Sequence, residues 1–88
     1  MDSQALKTFR LKMANPVNWR KANRVFLNYT RTDCATVAGA RRLIEDLAQA
    51  LNVSLSPAEK TAAATWLSQQ SIDPQNRKQR LMLWKRVK

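Results

Sequence analysis

The chain has 88 residues, which is enough for one small domain with a modest core. Of these residues 44% are hydrophobic and 25% are charged, so a folded globular chain is expected rather than a disordered one. Sixteen lysines and arginines outnumber six aspartates and glutamates, which gives a net charge of +10. Such an excess favours a polyanionic partner: nucleic acid, an acidic protein surface or an anionic membrane.

The side chains that most enzymes use are missing from this sequence. It contains no histidine and one cysteine, Cys34, which excludes a Cys–His nucleophile, the usual zinc sites and an internal disulfide. Gly39 is the one glycine, so there is no glycine-rich phosphate loop. We therefore expect a protein that is not an enzyme and that uses no cofactor, metal ion or small-molecule substrate.

The sequence also bears on location. No stretch approaches the roughly 20 apolar residues that span a bilayer, and residues 1–15 lack the pattern of a signal peptide. We expect a cytoplasmic protein, with membrane association as the weakest of the three alternatives.

The spacing of apolar residues predicts an all-α fold, a compact bundle of four to five short helices that forms a single domain over residues 1–88. The helices are expected over about residues 3–14, after Pro16, over about residues 33–51, after Pro57 and after Pro74. Three of these starts pair a capping side chain with a proline, at Asn15-Pro16, Ser56-Pro57 and Asp73-Pro74. Thr32 or Asp33 is the expected cap of the third helix.

The charge is concentrated at the two ends of the chain. Residues 1–31 carry a net charge of +6, residues 32–72 carry −1, and residues 73–88 carry +5. These basic N-terminal and C-terminal flanks are either solvated ends or two parts of one surface for an anionic partner, and their symmetry favours a shared surface.

The second helix combines an apolar face with a basic one. On a helical projection its apolar residues fall within one arc: Trp19, Ala22, Val25, Phe26 and Tyr29. Its basic residues fall on the opposite side together with Asn28: Arg20, Lys21, Arg24 and Arg31. Arginines at this spacing can form paired hydrogen bonds to phosphates, and an asparagine can reach a phosphate or a base edge. A purely solvated face would normally mix charges of both signs.

The last helix is also basic, but its charges interleave with apolar residues. The residues expected to meet an anionic partner are Arg77, Lys78, Arg80, Lys85 and Arg86. We expect Leu81 and Trp84, with part of Leu83 or Val87, to dock on the bundle. If the partner is a protein, Leu83 and Trp84 are alternatively its apolar anchors on the surface.

Residues 46–54 resemble the first helix and turn of the helix-turn-helix family. They contain a Leu-Ala pair, a leucine three residues on and a Val-Ser pair, with Asn52 where that family often has glycine. The following Ser-Pro start comes two or three residues late, and the next helix opens with alanines rather than with the polar side chains of a recognition helix. The resemblance implies that the base-reading residues are Lys60, Thr61 and Thr65, whereas the alanine run itself favours close helix packing.

Two functions remain as predictions. The first is a nucleic-acid-binding accessory or regulatory protein, with DNA favoured over RNA, that contacts phosphates through the basic helices. The alternative is an inhibitor or adaptor that docks on an acidic surface of a larger, possibly nucleic-acid-processing, enzyme. A continuous basic strip would favour nucleic acid, and basic residues around an apolar patch would favour a protein.

Overall fold

Helices joined by short turns make up residues 4–86, the part of the chain that this computed structural model describes. The described residues form six helices and no strand: α1 (Gln4–Lys12), α2 (Pro16–Phe26), α3 (Arg31–Cys34), α4 (Val37–Ala50), α5 (Pro57–Ser68) and α6 (Arg77–Lys85). They pack into a body of 28 × 28 × 22 Å. The all-α class is confirmed. Six helices appear instead of five because the predicted third helix is divided into α3 and α4.

Two of the three predicted helix starts are confirmed by their capping geometry. The Asn15 side chain accepts a hydrogen bond of 2.9 Å from the Val17 backbone N–H, immediately before α2. The Ser56 hydroxyl accepts from the Glu59 N–H at 3.2 Å, and the Glu59 carboxylate accepts from the Ser56 N–H at 3.1 Å. This reciprocal pair is a complete capping box at the start of α5.

The third predicted start, at Asp73-Pro74, is wrong. α6 begins three residues later, where the Asn76 side chain accepts from the Gln79 N–H at 3.2 Å. Asp73 instead accepts from the Gln75 N–H at 3.0 Å, which closes a local turn, and Pro74 is buried before the helix begins.

The break between α3 and α4 depends on threonine caps. Thr30 and Asp33 form a capping box at α3, and the Thr36 hydroxyl accepts from the Gly39 N–H at 3.1 Å to start α4. The prediction that Thr32 or Asp33 caps one long helix is therefore wrong. Gly39 is required at the junction, because a Cβ there would lie 2.0 Å from the backbone oxygen of Asp33.

The core is built around α4, which packs against α2, α3 and α5, while α1 packs against α5. Its largest fully buried side chains are Phe9, Phe26, Leu6, Leu43, Ile44, Leu47, Leu67, Leu83 and Pro74. α6 reaches this core mainly through Trp84, whose ring meets Phe9 and Phe26 edge to face at centroid distances of 6.4 and 5.9 Å. Such pairs add to the burial of apolar area, so they fix α6 on the bundle.

The connection between α4 and α5 tests the helix-turn-helix resemblance. Asn52 has the left-handed conformation expected of it, with φ at 57°, but the helices are separated by residues 51–56 rather than by the three or four residues of that motif. Ala63 and Ala64 are fully buried, which confirms that the alanine run serves close packing. The Thr65 hydroxyl donates to the Thr61 carbonyl of its own helix at 2.9 Å. The face of α5 that carries Ala63 and Ala64 is therefore a packing face, and Thr61 is exposed.

Candidate nucleic-acid interface

The outward face of α2 carries three basic side chains with no acidic neighbour on the helix. Ala22 and Phe26 are buried against the bundle, whereas Arg20, Lys21 and Arg24 are exposed on the opposite side. Residues 3–32 contain no aspartate or glutamate at all. Within residues 4–86 these three side chains make no ion pair, so their charge is not offset locally.

Asn28 and Arg31 are exposed as well, but they do not belong to α2. The helix ends at Phe26, and Arg31 is the first residue of α3. A helical projection extended beyond Phe26 therefore does not give their positions. They extend the basic surface around the turn between the two helices.

Tyr29 shows how that turn is held. Its side chain packs partly against the core, and its hydroxyl donates a hydrogen bond to the Asp46 carboxylate on α4. Burial, and then the hydrogen bond and negative charge of Asp46, raise the pKa of the Tyr29 hydroxyl, so it remains a neutral donor.

α6 lies beside α2, and three polar contacts set its position. The Arg80 Nε donates to the Asn23 Oδ1 at 2.8 Å. The Gln75 side-chain amide donates to the backbone oxygens of Leu27 and Tyr29 at 2.9 and 2.6 Å. The segment that leads into α6 is thereby tied to the end of α2, and α6 then runs back along it. Asn23 and Arg80 thereby join one side of α2 to α6.

The structure exposes four of the five basic residues predicted on the last helix. Arg77, Lys78 and Lys85 are exposed, and none of them forms an ion pair within the described part of the chain. Arg86 is exposed too, but its guanidinium donates to the Gln70 carbonyl and side-chain oxygens at 3.3 Å each. Arg86 therefore holds the end of α6 as well as adding charge.

Arg80 was predicted to meet the partner, and the structure corrects this. The side chain is only 7% exposed, and its Nη1 also donates to the Pro74 carbonyl at 2.7 Å. Its Nε and Nη1 thus both donate to neutral acceptors inside the protein. Arg80 joins α2 to α6 and is not available to a phosphate.

The apolar residues of α6 also differ from expectation. Leu83 and Trp84 are buried, so neither is an exposed anchor for a protein partner. Leu81 was expected to dock on the bundle but is 43% exposed, as is its neighbour Met82 at 52%. The buried stripe is thus Arg80, Leu83 and Trp84, at the i, i+3, i+4 spacing of a helix face. Val87, the other predicted docking residue, lies outside the described residues.

The few carboxylates of the structure lie away from this basic surface or serve local roles. Glu45 pairs with Arg41 at 3.3 Å on α4, and Glu59 belongs to the capping box of α5. The pKa of Asp33 is lowered because the Thr30 backbone N–H and hydroxyl both donate to its carboxylate. α2 and α6 themselves contain no carboxylate, whereas Asp73 lies in the turn before α6 and Asp33 lies two residues after Arg31.

The residues that assemble this surface were missed at the sequence level. Asn23 bonds to Arg80, 57 positions later in the chain, and Gln75 bonds to the backbone oxygens of Leu27 and Tyr29, 48 and 46 positions earlier. The sequence signal for this contact is Asn23 within the basic run of α2. That signal does not identify a contact, because asparagine is equally common on solvated faces.

Other chemistry is sparse in the described residues. They contain no group of three or more metal-ligating side chains, and none of their helices is long and apolar enough to cross a bilayer. The Cys34 thiol is buried, and its pKa is raised to about 11 by burial and by the negative charges of Asp33 and Asp73. The thiol is therefore neutral near pH 7.

Comparison with known proteins gave no match: no family model, no curated protein and no solved structure shows significant similarity to this chain.

Proposed function

We propose that this protein is a non-catalytic accessory or regulatory protein that binds DNA through phosphate contacts made by α2 and α6. One observation carries the proposal: α2 and α6, which Asn23 and Arg80 join, both expose basic residues, and neither helix contains a carboxylate. We call these residues together the α2–α6 basic surface, and they are Arg20, Lys21, Arg24, Arg77, Lys78 and Lys85. Asn28 and Arg31 extend it at the turn after α2.

The rigidity of this surface supports the proposal. Arg80 and Gln75 tie the two helices together, and Trp84 anchors α6 in the core. A surface whose helices are already fixed loses less entropy on binding than one that must be ordered first. Charges on such a surface are also better placed to match the fixed spacing of phosphates on a duplex.

The dimensions and side chains favour duplex DNA over duplex RNA. The protein extends 28 Å along its longest axis, which corresponds to roughly eight base pairs at about 3.4 Å each. A helix with exposed arginines can approach the wide major groove of B-form DNA or lie along its backbone. The deep, narrow major groove of A-form RNA does not admit a helix.

We also propose that the protein acts in the cytoplasm.

Phosphate contact of this kind has a measurable signature. If about five of the basic side chains each neutralise one phosphate, the logarithm of the affinity should fall with the logarithm of salt concentration with a slope of about −4 to −5. Discrimination between sequences should be weak, because phosphates carry no base identity.

Fluorescence anisotropy tests the proposal. A labelled duplex of about 15 base pairs, the matching single strand and an RNA duplex would be titrated with protein between about 50 and 200 mM salt. The test variant is Arg20→Gln/Arg24→Gln. The matched control is Arg42→Gln/Lys60→Gln, which removes the same charge from α4 and α5.

We expect micromolar or tighter binding to the DNA duplex. At about 100 mM salt the test variant should lose at least about tenfold in affinity and about two units of salt slope, and the control should lose much less. Equal losses in the two variants would show general charge attraction and would contradict a specific α2–α6 surface.

A second candidate function, docking on a protein as an adaptor or inhibitor, is favoured by a different feature, an apolar groove beside α1.

A further inference from the structure

An apolar groove opens where α1, the turn after it, α2 and α6 meet. It has a volume of about 310 Å³ and is lined by Arg10, Met13, Ala14, Trp19, Leu81 and Trp84. A second hollow of about 450 Å³ shares Arg10 and Ala14 with it and adds Lys7 and Leu11. We call the two together the α1–α6 groove.

Large apolar side chains are exposed at this groove. Leu11 is 77% exposed and Leu81 is 43% exposed, although each lines one of the hollows. A cavity of about 150 Å³ accepts a molecule of benzene. The first hollow therefore has room for two apolar side chains of a partner, and burying them would remove the exposed leucines from water.

The charge around the groove indicates which class of molecule binds there. The exposed Lys7 lies in its wall, neither α1 nor α6 contains an aspartate or glutamate, and the protein carries a net charge of +10. Charge complementarity therefore calls for an occupant with carboxylates beside its apolar side chains.

A nucleobase fits the lining less well than a protein side chain does. Stacking platforms present open aromatic faces, whereas Trp84 is 93% buried, and its ring is held against Phe9 and Phe26. Trp19, Met13, Ala14 and Leu81 form the rest of the apolar wall, and they suit leucine, isoleucine or phenylalanine.

We propose that the α1–α6 groove binds a short acidic segment of a partner protein, with one or two large apolar side chains inserted and an aspartate or glutamate paired with Lys7. This site lies beside the α2–α6 basic surface and does not depend on the DNA-binding proposal.

Synthetic peptides of about 12 residues test the site. One set places leucine or phenylalanine among glutamates, a second replaces each apolar anchor by serine at the same charge, and a third replaces the glutamates by lysine. Affinity is measured by anisotropy, and the binding site is mapped by backbone amide chemical shifts in the full-length protein. The test variant is Leu81→Glu, and the matched control is Met82→Glu, which places the same charge at a neighbouring exposed position that does not line the groove.

We expect the anchored acidic peptides to bind with dissociation constants of about 100 μM or tighter, and to shift amides near Ala14, Trp19 and Leu81. The serine peptides and the Leu81→Glu variant should each lose at least about tenfold, because an apolar contact is removed or blocked. The Met82→Glu variant should lose about threefold or less, the part that net charge alone supplies.

Several outcomes would overturn the proposal. Equal losses in Leu81→Glu and Met82→Glu, or equal binding by the serine peptides, would reduce it to charge attraction. If no anchored acidic peptide binds at about 1 mM, the groove is not a peptide-binding site. A dimer of the free protein that Leu81→Glu dissociates would assign the groove to a second copy, and displacement of the peptide by a single-stranded oligonucleotide that protects Trp19 would assign it to a base.

Discussion

Replacing Asn23 by alanine should destabilise the protein, because it strands a buried guanidinium. Arg80 is 7% exposed, and its guanidinium donates to two neutral acceptors, Asn23 Oδ1 at 2.8 Å and the Pro74 carbonyl at 2.7 Å. A hydrogen bond to a charged group contributes about 1.5–3 kcal/mol. We therefore expect Asn23→Ala to lower the free energy of unfolding by about 2 kcal/mol. For a domain of this size that corresponds to a fall in Tm of roughly 10 °C.

Urea unfolding followed by circular dichroism measures this loss, and a double-mutant cycle isolates the contact. Arg80→Met removes the charge while keeping an unbranched apolar chain, so Asn23→Ala in that background should cost less than about 0.5 kcal/mol. Asn28→Ala, at an exposed position outside the helix, is the surface control and should also stay within about 0.5 kcal/mol. An equal cost of Asn23→Ala in both backgrounds would refute the role assigned to the Arg80–Asn23 hydrogen bond.

Three further predictions address the helix junctions and the buried thiol. Gly39→Ala should destabilise the fold by about 3 kcal/mol or more, because its Cβ would meet the Asp33 backbone oxygen at 2.0 Å, while Ala38→Ser should be nearly neutral by thermal denaturation. Hydrogen bonds from Thr30 lower the pKa of Asp33 below its ordinary value of 3.8. The stability that these bonds give the folded protein is therefore complete above pH 3.8 and is lost as the pH falls through the lowered pKa. Unfolding measured between pH 5 and pH 2 should show this loss in the wild type and not in Asp33→Asn. Cys34 is 2% exposed and its pKa is about 11, so at pH 8 it should react with Ellman's reagent at least about 100-fold more slowly than in urea; fast reaction of the native protein would show that the core opens around it.

Local sequence signals predicted where a helix starts when a single capping residue determines that start. Asn15 and Ser56 each cap the helix that follows, because the bond from side chain to backbone forms within two or three residues. The Asp73-Pro74 pair has the same signature but lies in a turn, since the nearby Asn76 is the residue that caps α6. A cap pattern identifies competing starts, and tertiary packing chooses between them.

Part of the candidate site could also be predicted from local sequence, because it lies on a single helix. The exposed face of α2 follows from the periodicity of one helix, so Arg20, Lys21 and Arg24 are exposed as expected. The fate of Arg80 depended on an asparagine 57 positions earlier in the chain, and no local pattern contains that information. The exposed Leu81 and buried Leu83 show the same limit, because which side of a short basic helix meets the core is decided by the neighbours of Trp84.

The α2–α6 basic surface and the α1–α6 groove share α6 but use it differently. The groove takes Leu81 and Trp84 from α6 and Trp19 from α2, while the basic surface takes Arg77, Lys78 and Lys85 from the same helix. In a molecule 28 Å long, charges at the two sites lie within a few Debye lengths, which are about 8 Å each at physiological salt. An acidic peptide in the groove should therefore weaken DNA binding modestly, by an amount that salt removes, and by reciprocity DNA should weaken the peptide equally. Strong competition that persists in high salt would instead require one overlapping site, which the separate sets of residues argue against.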